Sequence, residues 1–233
     1  MDWPTVSILI VTWNRPKEIR RTLSGLLHNI RYPMDKLHWH LSDDQSPGTY
    51  LTDIVSEFPK LQFTSTVTER KGWGANVNKG ITFCLDKGHD FIFLCEDDYV
   101  ATRPIRLRAG VAVLLGEKEI GVIRYDGIEG HALDLELREA QTPIGKVPWL
   151  RILKGSPFLN VYSNRPHLMH RRFHDRYGLY PEGQRLAITE TRFAQRVKRT
   201  AGPDIAVLKD GIGKAFDHIG KSRQGTDADV GKG

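Results

Sequence analysis

Only two cysteines, Cys84 and Cys95, occur in 233 residues. Each lies within or beside an apolar run, and their spacing matches no thiolate metal motif, so both read as buried thiols in a reducing compartment. That argues against a disulfide-stapled fold or a cysteine-ligated zinc centre. Long apolar runs are missing too, since none approaches the roughly 20 residues that cross a bilayer. No transmembrane segment is therefore expected. The start, MDWPTVSILIVTWNRP, has an acid and a proline before its apolar stretch and no small-residue cleavage site, so it does not read as a secretory signal. A cytoplasmic location is the resulting expectation. Neither a repeat nor a linker-like composition interrupts the chain, whose length suits one domain. Finally, the first apolar run leads into VTWNRPKE, which contains no glycine. A nucleotidyltransferase with a glycine-rich phosphate loop after its first strand is disfavoured by that absence.

What the chain does have is an alternation. VSILIVTW (6–13) is a β-branched apolar run closed by NRP, the pattern of a buried strand ending in a turn. PKEIRRTLSGLLHNI then places Ile19, Leu23, Leu26, Leu27 and Ile30 at helical spacing behind Pro16. LHWHLSDDQSPG, YLTDIVSEF, LQFTSTV, GANVNKGITFCLDKG and FIFLCEDD follow as strand, helix, strand, helix, strand. This order predicts an α/β fold, a mainly parallel, Rossmann-like sheet with helices on both faces. The second half is less regular. RAGVAVLLGEKEIGVIRYDG predicts a helix and a strand, and LREAQTPIGKVPWLRILKGSPFLNVYS predicts shorter strands broken by proline and glycine. HLMHRRFH fits a helix with a solvated basic face, ITETRFAQRVKRT a helix, and DIAVLKDG a strand.

In such sheets ligands bind beyond the carboxyl ends of the strands. Each early strand ends in polar groups: Thr12 and Asn14, Asp43 and Asp44, Glu69 to Lys71, and Glu96, Asp97 and Asp98. The four clusters are expected on one rim. Adjacent carboxylates repel, and a cation, a basic partner or water must offset that. Mg²⁺ or Mn²⁺ takes oxygen ligands and keeps positions open for substrate phosphates. An acidic loop facing water is the plain alternative. The net charge of +6 and pI near 9.3 gather in HLMHRRFHDRYG and RFAQRVKR. That bias suits a solvated helix face, a phosphate-bearing substrate or nucleic acid equally.

VSILIVTWNRP, LSDDQSPG, ERKGWGANVNKGI and FLCEDDYV, in this order and spacing, resemble the nucleotide-binding half of a GT-A glycosyltransferase, most similar to family 2. The likeness covers residues 5–100 and thins to isolated motifs up to about residue 222. It implies a GT-A domain over 1–222, with a nucleotide-sugar-binding half (5–100) and an acceptor half (101–222). Residues 223–233 are expected to be a mobile polar tail. The resemblance also implies an enzyme of hexosyl- or N-acetylhexosaminyl-transferase type. It would move sugar from a UDP-linked donor to an acceptor hydroxyl, with Mn²⁺ or Mg²⁺ as cofactor. Asp43 and Asp44 would accept hydrogen bonds from the base, and Thr12 and Asn14 would line base and ribose. Arg70 or Lys71 would neutralise phosphate, Gly72 and Gly74 would permit close backbone approach, and Asn78 follows one turn along. Glu96, Asp97 and Asp98 stand at the family's DXD motif. Asp98 would hold the metal, and Asp97 or Glu96 would contact ribose or sugar. FDHIGKS resembles a late metal-ligand segment, which makes His218 a further ligand.

Inverting members need a carboxylate to take the acceptor proton, usually from the second position of a Glu-Asp pair. Here PEGQRLAITETRFAQRV supplies Glu190 and Thr191, and threonine is no base at neutral pH. Glu190 is the choice for an inverting reaction. Asp175 or Glu182, or a retaining reaction without such a base, stay open. In a purely structural role Glu190 would meet the free donors at its helix start. Thr191 also keeps open a binding module that has lost catalysis. On the acceptor side lie Trp149, Phe158, Tyr162, His167, His170, Arg171, Arg172, His174, Tyr177 and Tyr180. Their ring faces and cations suit a saccharide or glycolipid-type acceptor ahead of a modified nucleic-acid base, with core packing the alternative for the aromatics. DGIEGHALDLE (126–136) is expected to shape donor choice. No motif specifies an oligomeric state.

Overall fold

The computed structural model describes residues 2–125, 133–155, 161–209 and 215–220. Residues 126–132 of the donor-choice segment, Phe158, Lys221, Ser222 and the 223–233 tail lie outside the described residues.

Val6–Thr12 (β1), Pro16–Asn29 (α1), Leu37–Asp43 (β2), Tyr50–Glu57 (α2), Thr64–Val67 (β3), Trp73–Asp86 (α3) and Phe91–Glu96 (β4) form the alternation. β1 runs parallel to β2 on one side and β4 on the other, and β2 runs parallel to β3. Then come Tyr99–Ala101 (β5), Leu107–Gly116 (α4), Ile120–Arg124 (β6), Leu135–Thr142 (β7), Gly145–Ile152 (β8), His167–His170 (β9), Arg172–Tyr177 (α5), Leu186–Arg199 (α6), Asp204–Leu208 (β10) and Phe216–His218 (β11). The main sheet has the order β3-β2-β1-β4-β9-β6-β10-β8-β7, and β11 and β5 form a separate pair. β9 is antiparallel to both β4 and β6, β10 is parallel to β6, and β8 is antiparallel to β10 and β7. The sheet is thus parallel in its first half and mixed beyond β4.

All seven residues of β1 are buried because the strand is covered on both faces. Successive side chains point to opposite sides. Ile8 and Ile10 share one core with Ile19, Leu23 and Leu26 of α1, while Leu9 and Val11 share the other with Val77 and Ile81 of α3. α2 and α4 join the first face through Ile54 and Val111, and α5 and α6 join the second through Phe173 and Phe193. Among the described residues, no helix is long and apolar enough to cross a membrane.

Three local expectations change. β3 begins only at Thr64, because Pro59–Leu61 forms a 3₁₀ turn and Gln62 is left-handed at φ +45°. HLMHRRFH is not one basic helix. Its first half is strand β9, with His167, Leu168 and Met169 buried, and α5 starts at Arg172. The proline and glycine of QTPIGKVPW do not break strands into short pieces. They turn one strand into the next between β7 and β8, with Gly145 at φ +98°. Pro148 is tolerated within β8 because it lies beyond Trp149, where the pairing with β10 ends.

Candidate active site

The ends of β1, β2 and β3 are tied together by Asn76, in the first turn of α3. Its Nδ2 donates to the carbonyls of Ser42 (2.9 Å) and Thr12 (3.3 Å), and its Oδ1 accepts from the hydroxyls of Ser42 (2.8 Å) and Thr68 (3.0 Å). Sequence reasoning missed Asn76 and chose Asn78. The carboxamide of Asn78 is instead engaged within the chain, where Nδ2 donates to Tyr180 O and Glu182 Oε1 and Oδ1 accepts from Tyr180 N. Asn78 therefore positions the 178–182 loop.

Asp44 accepts the backbone N–H groups of Lys71 and Gly72, each at 3.1 Å, which pins the glycine-rich loop to the end of β2. Burial raises its pKa, and the two N–H donors oppose that rise. Asp43 accepts from the backbone N–H and hydroxyl of Ser46, and the Ser46 oxygen accepts from Asn14 N at 2.7 Å. Asn14 and Arg70 both take left-handed backbone conformations, φ +47° each, and the Arg70 guanidinium lies 3.9 Å over the Trp13 ring. These contacts bring the loops after β1, β2 and β3 together. Lys71 is exposed beside them. Gly74 differs from its expected role, because the close approach it allows is to the chain itself: a Cβ there would run into the Pro181 carbonyl.

The acidic triplet divides by direction. Asp97, 4% exposed, turns inward: its Oδ2 accepts from the Thr12 hydroxyl (2.8 Å) and Trp13 N (3.2 Å). Thr12 is closed further by pairing with the Tyr50 hydroxyl. Arg15, which the sequence reading passed over, donates to Asp97 Oδ1 at 3.1 Å and to Asp98 Oδ2. Burial pushes Asp97 up to about 6, with Arg15 opposing. Burial also lifts Glu96 well above the usual carboxylate range, aided by Asp98, Asp97 and Glu190.

Asp98, 2% exposed, faces β11. Pairing of β5 with β11 sets His218 opposite Tyr99, where the rings stack at 4.8 Å and His218 Nε2 lies 3.2 Å from Asp98 Oδ2. Ile219 N donates to Asp98 O at 2.9 Å, and a Cβ on Gly220 would strike the Asp98 carboxylate. Asp98 Oδ1 is buried with no partner among the described residues. No group of three His, Cys, Asp or Glu side chains among the described residues is arranged to hold a metal. An orphaned carboxylate oxygen beside an imidazole nonetheless fits a hard cation that completes its shell with substrate oxygens. Arg15 must leave Asp98 before an ion can sit there.

Glu190 is the fifth residue of α6, past the helix start, and does not meet the N-terminal donors of its own helix. Its Oε1 accepts from Asn164 N at 3.0 Å. Thr191 is exposed. Of the other carboxylates considered, Asp175 is exposed in a 3.4 Å ion pair with Arg171, and Glu182 is held by Asn78. The aromatic acceptor cluster is corrected to core: Trp149, Tyr162, His167, His174, Tyr177 and Tyr180 are all buried. Its cations have structural tasks as well. Arg172 donates to the carbonyls of Leu114, Glu117 and Ile120 at the end of α4, and Arg171 pairs with Asp90 at 3.1 Å.

The sequence profile described as Glycosyl transferase family 2 matches residues 7–172. No curated protein matches the sequence. Among solved structures, TarS of S. aureus superposes with a TM-score of 0.65 at 18% identity over 91% of this chain and 36% of its own. The mannosyltransferase PcManGT from Pyrobaculum calidifontis, solved with GDP-Man and Mn²⁺, gives 0.60 at 14% identity over 96% and 59%. GalNAc-T7, solved with UDP, GalNAc and Mn²⁺, gives 0.61 at 15% identity over 89% and 43%. The chain therefore spans between about a third and three-fifths of these proteins' lengths, and what it shares with them is the GT-A fold. By the profile match over most of its length, the chain belongs to glycosyltransferase family 2.

Proposed function

We propose that this protein moves a hexosyl or N-acetylhexosaminyl group from a UDP-linked donor to a saccharide hydroxyl, with inversion at the anomeric carbon. The observation that carries the reading is the Asp98–His218 pair, with its unpartnered carboxylate oxygen, at the rim where four strand ends meet. Three structural neighbours solved with UDP-GlcNAc, with GDP-Man and Mn²⁺, and with UDP, GalNAc and Mn²⁺ support the donor class. Asp98 and His218 would hold Mn²⁺ or Mg²⁺, which when bound stabilises negative charge on the leaving diphosphate.

The remaining work belongs to the chain. The loops pinned by Asp43, Asp44 and Asn14 would receive base and ribose, with Thr12 behind them. Arg70 and Lys71 would flank the phosphates, and Arg15, once free of Asp98, would add a third cation. Glu96 would face ribose or sugar, while inward-turned Asp97 would hold Thr12 and Arg15 in place beneath it. Glu190, oriented by Asn164 N, would take the acceptor proton as the acceptor oxygen bonds to the anomeric carbon. The carbon–oxygen bond to the diphosphate breaks in the same step, and the electron pair leaves with the diphosphate.

Calorimetry of UDP with and without Mn²⁺ tests the reading. Each ligand should strengthen the other's binding by about tenfold or more, a coupling of about 1.4 kcal/mol, and Asp98→Ala should abolish the coupling. UDP and Mn²⁺ binding with no mutual effect on the wild-type protein would reject it.

A further inference from the structure

Asn164 is 4% exposed, yet neither its Oδ1 nor its Nδ2 has a hydrogen-bond partner among the described residues. An amide buried in that condition costs folding free energy, and such groups are rare in native proteins. The neighbouring polar groups are otherwise engaged. The Tyr162 and Tyr180 hydroxyls bond each other, Ser163 Oγ takes the Arg165 N–H, and Glu190 Oε1 takes the backbone N–H of Asn164 itself.

Its position follows from the sheet. β9 is antiparallel to β4 with His167 opposite Leu94, so the residues before His167 run past the carboxyl end of β4. Asn164 therefore stands at the level of Glu96, Asp97 and Asp98. Its own N–H holds Glu190, so it also stands beside the carboxylate on α6. A sugar whose anomeric carbon lies between a diphosphate at Asp98 and a base at Glu190 would cross this point.

We propose that the Asn164 carboxamide binds adjacent hydroxyls of the donor's sugar. The amide offers one acceptor and two donors, and a vicinal diol offers the complementary set, so one side chain can accept from one hydroxyl and donate to the next. The same residue would then serve twice: its backbone orients the base and its side chain orients the sugar. This inference rests on the proposed sugar-nucleotide reading and assigns a residue within it.

The test compares UDP, UDP-glucose and UDP-N-acetylglucosamine binding in the presence of Mn²⁺ for wild type, Asn164→Ala and Asn164→Ser, alongside thermal unfolding without ligand. Asn164→Ala should leave UDP affinity within about twofold and lower the ratio of UDP-sugar to UDP affinity at least tenfold. Its unfolding temperature should be unchanged or raised, because the substitution deletes two unsatisfied atoms. Asn164→Ser, which keeps a hydroxyl donor and acceptor, should recover part of the ratio. An unchanged ratio overturns the assignment. So does a lowered unfolding temperature with parallel weakening of UDP and UDP-sugars, which would make the amide a structural group. A raised acceptor KM with an unchanged donor ratio overturns it in favour of the acceptor. If wild type binds none of the three ligands, the sugar-nucleotide reading itself fails and takes this assignment with it.

Discussion

Arg15 is the cation that faces the acidic triplet. It sits between Asp97 and Asp98 with its side chain 24% exposed, while the two carboxylates are nearly fully buried. Removing one partner of a buried ion pair leaves an uncompensated charge, which costs about 3–5 kcal/mol where burial is complete and less at this partly exposed site. Arg15→Gln should therefore lower the unfolding temperature without metal. It should also raise the affinity for Mn²⁺ alone by about tenfold, since the ion no longer competes with a guanidinium. Calorimetric titration of Mn²⁺ into both proteins checks this, and equal affinities would mean that Arg15 does not guard the seat. At Glu190 the informative change is Glu190→Gln, because the amide oxygen can still accept from Asn164 N. Turnover should fall by about 10²–10⁴-fold with UDP affinity nearly intact. Unchanged turnover would remove Glu190 from the reaction. Residue identity alone carried some of this and not the rest. Asp44 and Asp98 stand out as carboxylates at predicted strand ends, whereas His218 is suggested only through the resemblance of FDHIGKS to a metal-ligand segment. Arg15 looks like any surface arginine, Asn164 like any loop asparagine, and nothing in GANVN says that the first asparagine ties strands while the second holds a loop.

The helix α3 is locked to the 178–182 loop by Gly74 and Asn78, and this joint links the parallel first half of the sheet to the segment that leads into α6 and Glu190. A methyl group at Gly74 has nowhere to go, because the atom it meets is the backbone carbonyl of Pro181. Gly74→Ala should destabilise the protein by about 2 kcal/mol, the usual scale for overpacking. In a chain of this length that lowers the unfolding temperature by about 4–8 °C. Gly155→Ala, where a Cβ meets nothing, is the control and should change little. Equal melting of the two variants would mean that the joint yields freely. The elements on either side of it differ in how plainly the sequence announces them. β1, α1, β2, α3 and β4 are long, strongly patterned and joined by short turns, so local pattern sufficed. β9 is a four-residue strand flanked by histidines, and its insertion between β4 and β6 is set by long-range pairing that no local pattern encodes. The buried histidines and tyrosines of 162–180 looked like a binding surface for the same reason, since composition does not report which way a side chain faces.

Across the whole molecule, the two faces of the sheet bury histidine unequally. The core under α3, α5 and α6 takes His174 among Phe173, Tyr180 and Phe193, and α3 lays Phe83 against His40. Burial lowers His40 and His174 to about 4. A histidine held neutral in this way binds fewer protons folded than unfolded. Its contribution to stability is therefore intact above its unfolded pKa near 6.5 and is lost as pH falls toward 4. Buried Asp97, raised to about 6, and Glu96 act in the opposite sense, because their native forms bind the extra protons. The net curve mixes both signs, so the decisive measurement is a difference. His174→Phe keeps a ring among the same aromatics and removes the titrating group, at the constant cost of the 2.9 Å bond to Gly178 O. Denaturant unfolding should give wild-type and variant curves that are parallel above about pH 7. Between about pH 6 and 4, wild type should lose up to about 1.4 kcal/mol per pH unit relative to the variant. Curves that stay parallel down to pH 4 would show that His174 is protonated in the folded protein as readily as in the unfolded chain, and that this face of the sheet admits charge.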